Sequence, residues 1–131
     1  PENMQKNPIY GDITSEIIDS LRTKLTELKR LGARQVLIDP GFGFGKTVKQ
    51  NYTVLEELQK FTILNQPILV GFSRKSMIYK LLDSTPEQAL NGTSILNTLA
   101  LERGAQILRV HDVKEAAECI TLWSACSNQG A

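Results

Sequence analysis

The chain has 131 residues, 41% of them hydrophobic and 22% charged, a composition ordinary for one globular domain with a core. It carries 15 basic against 14 acidic residues, a formal net charge of +1, so no global field directs it to nucleic acid or to an anionic membrane. No run approaches about 18 consecutive apolar residues, the length that a membrane-spanning helix requires.

Residues 1–11 are polar, include Pro1 and Pro8, and open no strand; with Pro in place of an initiator Met, the chain reads as cut from something longer. Asp12 is placed to cap a helix whose apolar positions Ile17, Ile18, Leu21, Leu25 and Leu28 follow helical spacing, with Gly32 just past its end. Residues 35–39 form a short strand, since Val36, Leu37 and Ile38 are too continuous for a half-exposed antiparallel edge. Asn51 is expected to cap a second helix that turns Tyr52, Leu55, Leu58 and Phe61 inward.

Pro67 opens a second strand over 68–72, and a short helical segment follows over 75–82. Thr85, Pro86 and Gln88 together supply a cap, a first-turn proline and a capping-box glutamine, the clearest helix start in the sequence. That helix runs to Arg103 and Gly104, the third strand is 105–110, and Asp112 caps a last helix through about Ser127. Cys119 and Cys126, seven apart in that helix, lie about 10 Å apart along its axis, too far to bridge. They read as free thiols in a reducing compartment, the cytosol. Trp123 and the small-residue face of Ala89, Gly92, Thr93 and Leu96 are candidates for an inter-subunit surface.

Apolar strands alternating with helices at intervals of roughly 35 residues indicate an α/β fold with a parallel sheet. In such folds the C-terminal ends of the strands carry the site. Those ends deliver Asp39, then Ser73, Arg74 and Lys75, then Arg109 and His111: a cationic pocket with one carboxylate, suited to an anion that also presents hydrogen-bond donors.

The stretch between Asp39 and Thr47, DPGFGFGKT, has the composition of a phosphate loop and fails both known spacings. A P-loop wants glycine five places before Gly45, where Pro40 stands, and the dinucleotide fingerprint wants glycine at position 46, which is Lys46. Asp39 is either an Asx-turn residue or a functional carboxylate at a strand end. Arg74 and Lys75 in a first helical turn oppose the helix dipole, which favours an anion or substrate role over a surface one. Arg109 interrupts an apolar strand and needs a partner, either a ligand or an ion pair with Asp112 or Asp39. His111 is the sole histidine, on the same side of its strand as Arg109, and is either a core residue or that arginine's working partner. Phe42 and Phe44 are core anchors or covers for a flat ligand.

The motifs DPGFGFGK, PILVGFSRKSMI and ILRVHDVKE, in this order and at these intervals, resemble the second half of the dihydropteroate synthase family, and the opening PENMQKNPIYGDITSEI resembles the segment after that family's fifth strand. The resemblance implies a (β/α)8 TIM barrel, of which this chain covers the fifth helix through the eighth with strands six to eight, as a single partial domain over 1–131. It implies a folate-pathway transferase that joins 4-aminobenzoate to 6-hydroxymethyl-7,8-dihydropterin diphosphate, releasing pyrophosphate with Mg2+ assistance. Carried over residue by residue, Asp39 and Lys75 would be catalytic, and with Gly43 would bind pterin. Arg109 and His111 would hold pyrophosphate; Phe44, Ser73 and Arg74 would meet aminobenzoate. Sulfonamides would compete at that subsite.

The chain departs from the family at Tyr79, where glycine is frequent. It also lacks the first-strand metal ligand, so the Mg2+ ligands are expected in the N-terminal half and this chain alone is expected to be inactive. The family further implies a cytoplasmic homodimer. The competing readings are a small α/β module that binds a phosphorylated ligand without chemistry, and a half-barrel that associates with its own copy.

Overall fold

A computed structural model describes residues 12–127. The Asp12 carboxylate accepts the Ser15 N–H and so caps α1 (Ile13–Arg30), satisfying one of the orphan donors of its first turn. The helix closes on Gly32, at φ +100°, while the Ala33 N–H returns to the Leu28 carbonyl. Ile13, Ile17, Ile18, Leu21 and Leu25 pack half-buried against the core, whereas Leu28, expected inward, is exposed.

The helix after the glycine loop begins before Asn51. Thr47 caps α2 (Val48–Glu56): its hydroxyl accepts the Gln50 N–H, and the Gln50 side chain accepts the Thr47 N–H. This is a reciprocal capping box. Asn51 therefore lies inside the helix, buried, where its side chain is free to serve the loop. A 3-10 stretch, Leu58–Leu64, follows and turns out through Asn65 in the left-handed region.

β1 (Leu69–Val70) pairs in parallel with β2 (Ile107–Leu108), with Leu69 opposite Ile107. Ile38 joins by one parallel bridge to Ile68, its N–H donating to the Pro67 carbonyl and its carbonyl accepting from Leu69. The three expected strands are thus present in order and direction but shorter than 35–39, 68–72 and 105–110. Apolar runs mark what is buried; ladder length depends on a partner, and Ile38 finds one on a single side among the described residues.

Phe42, Val54, Leu58, Phe61, Ile68, Val70 and Phe72 form the buried centre. The Phe42 and Phe72 ring centroids lie 4.6 Å apart at 46°, a tilted packing that locks the glycine loop onto the end of β1.

α3 (Ser76–Tyr79) is brief and carries Met77 and Ile78 into the core, with Tyr79 packed half-buried beside them. The expected start at Thr85 is a 3-10 turn, Pro86–Gln88, in which Thr85 makes no side-chain cap; Ser84 Oγ instead donates to the Gln88 side chain. The helix proper is α4 (Leu90–Glu102). Ala89, Gly92, Thr93 and Leu96 are buried within the chain, which corrects their reading as inter-subunit surface: a methyl on Gly92 would collide with Ile78 Cγ2, so α4 rests closely on α3. α5 (Val113–Ser127) packs along α4, and Trp123 donates its indole N–H to Glu102 at 2.9 Å.

Candidate functional site at the carboxyl ends of the strands

The parallel segments around Ile38, β1 and β2 all run the same way, so the residues that follow them emerge at one rim. The first rim residue is Asp39. One oxygen accepts the Gly41 N–H at 2.8 Å, the Asx-turn geometry, and the other lies 4.0 Å from Arg109 Nη2. The Asx-turn reading of Asp39 thus holds for one oxygen, while the other is left facing Arg109 across the rim.

The glycine loop is held from within. Asn51 Oδ1 accepts the Gly43 N–H at 2.8 Å, its amide donates to the Thr47 carbonyl, and Lys46 Nζ donates to the Pro40 and Gly41 carbonyls. Lys46 thus turns back onto its own loop, and burial lowers its pKa against the opposing pull of Asp39. The two aromatics divide: Phe42 is 1% exposed in the core, and Phe44 is 71% exposed at the rim.

After β1 the chain turns sharply. The Lys75 N–H closes on the Phe72 carbonyl, and Arg74 takes φ +54°, a conformation that costs a non-glycine residue about 1–2 kcal/mol. Four side-chain donations offset that cost, with the Arg74 N–H itself donating to Thr93 Oγ1. The turn sends Lys75 toward the glycine loop, where Nζ donates to the Phe42 carbonyl at 2.5 Å and lies 5.4 Å from the Phe44 ring centre. Gly43, at φ +93°, lies beside the Lys75 stem, where a Cβ would meet Lys75 Cδ at an ordinary contact of 3.5 Å, so it is the positive φ that favours glycine there. Burial first, then the neighbouring Arg109 and Lys46, hold the Lys75 pKa below the ordinary lysine value, against the pull of Asp39.

Past β2, Arg109 lies over Gly71, and the His111 N–H donates to Ser73 Oγ at 3.0 Å. Gly71, Ser73, Lys75, Arg109 and His111 line one small cleft of about 150 Å3. Two cations and two side chains with polar hydrogens in that volume suit a compact polyanion. Among the described residues no group of three His, Cys, Asp or Glu side chains converges as metal ligands, and Asp39 already shares its oxygens between Gly41 and Arg109.

Of the residues singled out from sequence, Asp39, Gly43, Phe44, Ser73, Lys75, Arg109 and His111 meet at this rim. Arg74 does not line the cleft, since its guanidinium turns to Asp112 and to the Pro86 and Glu87 carbonyls. Sequence reasoning gave Asn51 only a helix-capping role and assigned none to Lys46 and Gly71. A glycine within an apolar strand run is a sign of close approach, and that sign was present at Gly71.

A family model described as pterin binding enzyme matches residues 1–111. The chain is 40% identical over 127 residues to dihydropteroate synthase of Escherichia coli strain K12, covering 95% of this chain and 45% of that protein. It is 37% identical over 130 residues to the Haemophilus influenzae enzyme of that name, covering 98% and 47%. Against a Yersinia pestis dihydropteroate synthase solved with a sulfonamide drug, the TM-score is 0.88 at 39% identity, covering 98% of this chain and 48% of that one. The chain spans about half the length of these relatives. The architecture shared with that structure is a (β/α)8 barrel, represented here by its later helices and strands in the order expected from sequence.

Proposed function

The chain belongs to the pterin-binding enzyme family, and on that premise we propose that the full-length protein carrying it is a dihydropteroate synthase, with this chain supplying the diphosphate side of the active site. The observation that carries the reading is the meeting of Asp39, Lys75 and Arg109 at one rim: Asp39 stands 4.0 Å from Arg109, and both that arginine and Lys75 line the same cleft.

In this reading the outward oxygen of Asp39 accepts a hydrogen bond from the amino-pyrimidine edge of the pterin, a donor-rich edge that a carboxylate suits. Lys75, released from the Phe42 carbonyl, meets the pterin carbonyl side, with Gly43 beside its stem. Arg109, with Ser73 and His111, holds the diphosphate. The amine of 4-aminobenzoate forms a C–N bond to the pterin methylene as the C–O bond to the diphosphate breaks, and the pyrophosphate leaves with the bonding electrons. The proton lost from the amine passes to solvent or to pyrophosphate. Negative charge grows on the leaving oxygen, where fixed cations lower the barrier. Holding amine and methylene together contributes the rest.

Phe44, exposed at the rim, borders the aminobenzoate ring, with Ser73 the other candidate for that side, while Arg74, expected there from sequence, is turned away to Asp112. Sulfonamides would compete there, as the drug-bound Yersinia pestis structure suggests by likeness. In this reading magnesium in the full protein would draw on ligands outside this chain. A cytosolic homodimer belongs to the same proposal, supported by the free thiols of Cys119 and Cys126 and by Ile120 and Leu122 exposed on α5.

Calorimetric titration of the full-length protein with pyrophosphate and with 6-hydroxymethylpterin tests the assignment. Binding of both supports it, and binding of neither defeats it. Pyrophosphate binding without pterin binding favours the alternative, a phosphate-ligand module without catalysis.

A further inference from the structure

We propose that Arg74 is a positioning residue: through Asp112 it braces the loop after β1 against the loop after β2, and so keeps Ser73 and Lys75 in register with Arg109 and His111 without touching substrate. This rests on the reading of their shared cleft as the diphosphate pocket.

The donor count is the first support. Nε and Nη2 donate to the two oxygens of Asp112, each at 3.1 Å, and Nη1 donates to the carbonyls of Pro86 at 3.1 Å and Glu87 at 2.9 Å. A guanidinium has five N–H groups in a fixed fork, so four are committed and one on Nη2 remains.

The second support is position in the chain. Arg74 directly precedes Lys75 and Asp112 directly follows His111, so the ion pair lies one residue from each wall of the cleft. A second cross-link, from the His111 N–H to Ser73 Oγ at 3.0 Å, ties the same two loops. The left-handed turn at Arg74 makes the side chains of residues 74 and 75 diverge, one toward Asp112 and the other toward the Phe42 carbonyl. The carbonyls of Pro86 and Glu87 add the turn before α4 as a third anchor. A bidentate pair fixes orientation as well as distance, which is what aligning two loops requires.

The test uses the full-length protein, with inorganic pyrophosphate as calorimetric probe and steady-state kinetics in both substrates. Asp112→Asn, isosteric and unable to pair with the fork as a charge, and Arg74→Lys, which keeps the charge and loses the fork, are each expected to weaken pyrophosphate binding and raise KM for the pterin diphosphate about 10-fold. KM for 4-aminobenzoate should stay within about twofold. The exchange Arg74→Asp with Asp112→Arg should recover most of the loss, which a general loosening of the fold would not. Each variant is checked by its melting temperature, and if one does not fold the other carries the result. Wild-type pyrophosphate affinity in Asp112→Asn overturns the bracing role, as does an effect of Arg74→Lys confined to 4-aminobenzoate. Absence of pyrophosphate binding by the wild type overturns the bracing and the function together, whereas wild-type binding with unaltered variants overturns the bracing alone.

Discussion

Arg109 lies so closely across Gly71 that a methyl built on the glycine would sit 2.8 Å from Nη2 and 3.0 Å from Nε. The guanidinium thereby lies against Gly71, just past the end of β1, facing Asp39 and lining the cleft with Lys75. Gly71→Ala is expected to displace Arg109 and raise KM for the diphosphate substrate about 10-fold, a loss of one well-placed charged contact. The melting temperature should fall little, because the atoms that must move belong to a side chain 58% exposed. An unchanged KM would show that Arg109 is not held in place by Gly71.

Lys75 makes stability depend on pH in a defined direction. Its folded pKa is lowered, first by burial and then by Arg109 and Lys46, so the fold disfavours its charged form. Between that lowered value and the unfolded value of 10.5 the unfolded chain holds more protons, and stability contributed by this group rises with pH. Below the lowered value the cost is present in full. Lys75→Met should therefore gain most in melting temperature over wild type near neutral pH and lose that advantage as pH climbs toward 10. An advantage that does not vary with pH would remove Lys75 as its source.

Asn51 fixes the glycine loop from a buried helix position, accepting the Gly43 N–H and donating to the Thr47 carbonyl. Asn51→Leu leaves both groups without that partner and is expected to destabilise by about 1–3 kcal/mol. It should also raise KM for the pterin substrate, since the loop that Asn51 holds carries the Phe42 carbonyl that takes Lys75 Nζ. Urea denaturation with kinetics checks both effects. Destabilisation below half a kcal/mol, flagged by an unshifted midpoint, would show that the loop holds itself.

Gly92 offers a prediction about the frame alone. Alanine improves helix propensity over glycine by about 1 kcal/mol, yet its methyl would overlap Ile78 Cγ2. Overpacking of this kind costs about 1–3 kcal/mol, so Gly92→Ala should be neutral to destabilising. A clear rise in melting temperature would mean that α3 yields easily.

How far the sequence discloses the molecule depends on which interactions are local. Asp12 and Gly32 bound α1 as expected, because capping and the left-handed closure are decided within a few residues. The pattern T-x-x-Q occurs twice, at Thr47 and at Thr85. At the first it forms a capping box, while at the second Ser84 takes the glutamine and a 3-10 turn results. Local pattern alone does not reveal such competition. The rim residues were legible because apolar strands end abruptly in charge. The partners of Arg74 were not, since Asp112 lies 38 positions away and Pro86 12. Phe42 and Phe44 look alike in sequence, and only packing against Phe72 separates the core ring from the exposed one.

The central claim is that Asp39 and Lys75, with the Arg109 cleft, make and use a pterin diphosphate site. The most direct test is steady-state formation of 7,8-dihydropteroate from 4-aminobenzoate and pterin diphosphate by the full-length protein, wild type beside Asp39→Ala and Lys75→Ala. Turnover by the wild type, cut by about 100-fold or more in each variant with the fold intact, is the predicted result. No product from the folded wild type, or near-normal turnover in both variants, would contradict it.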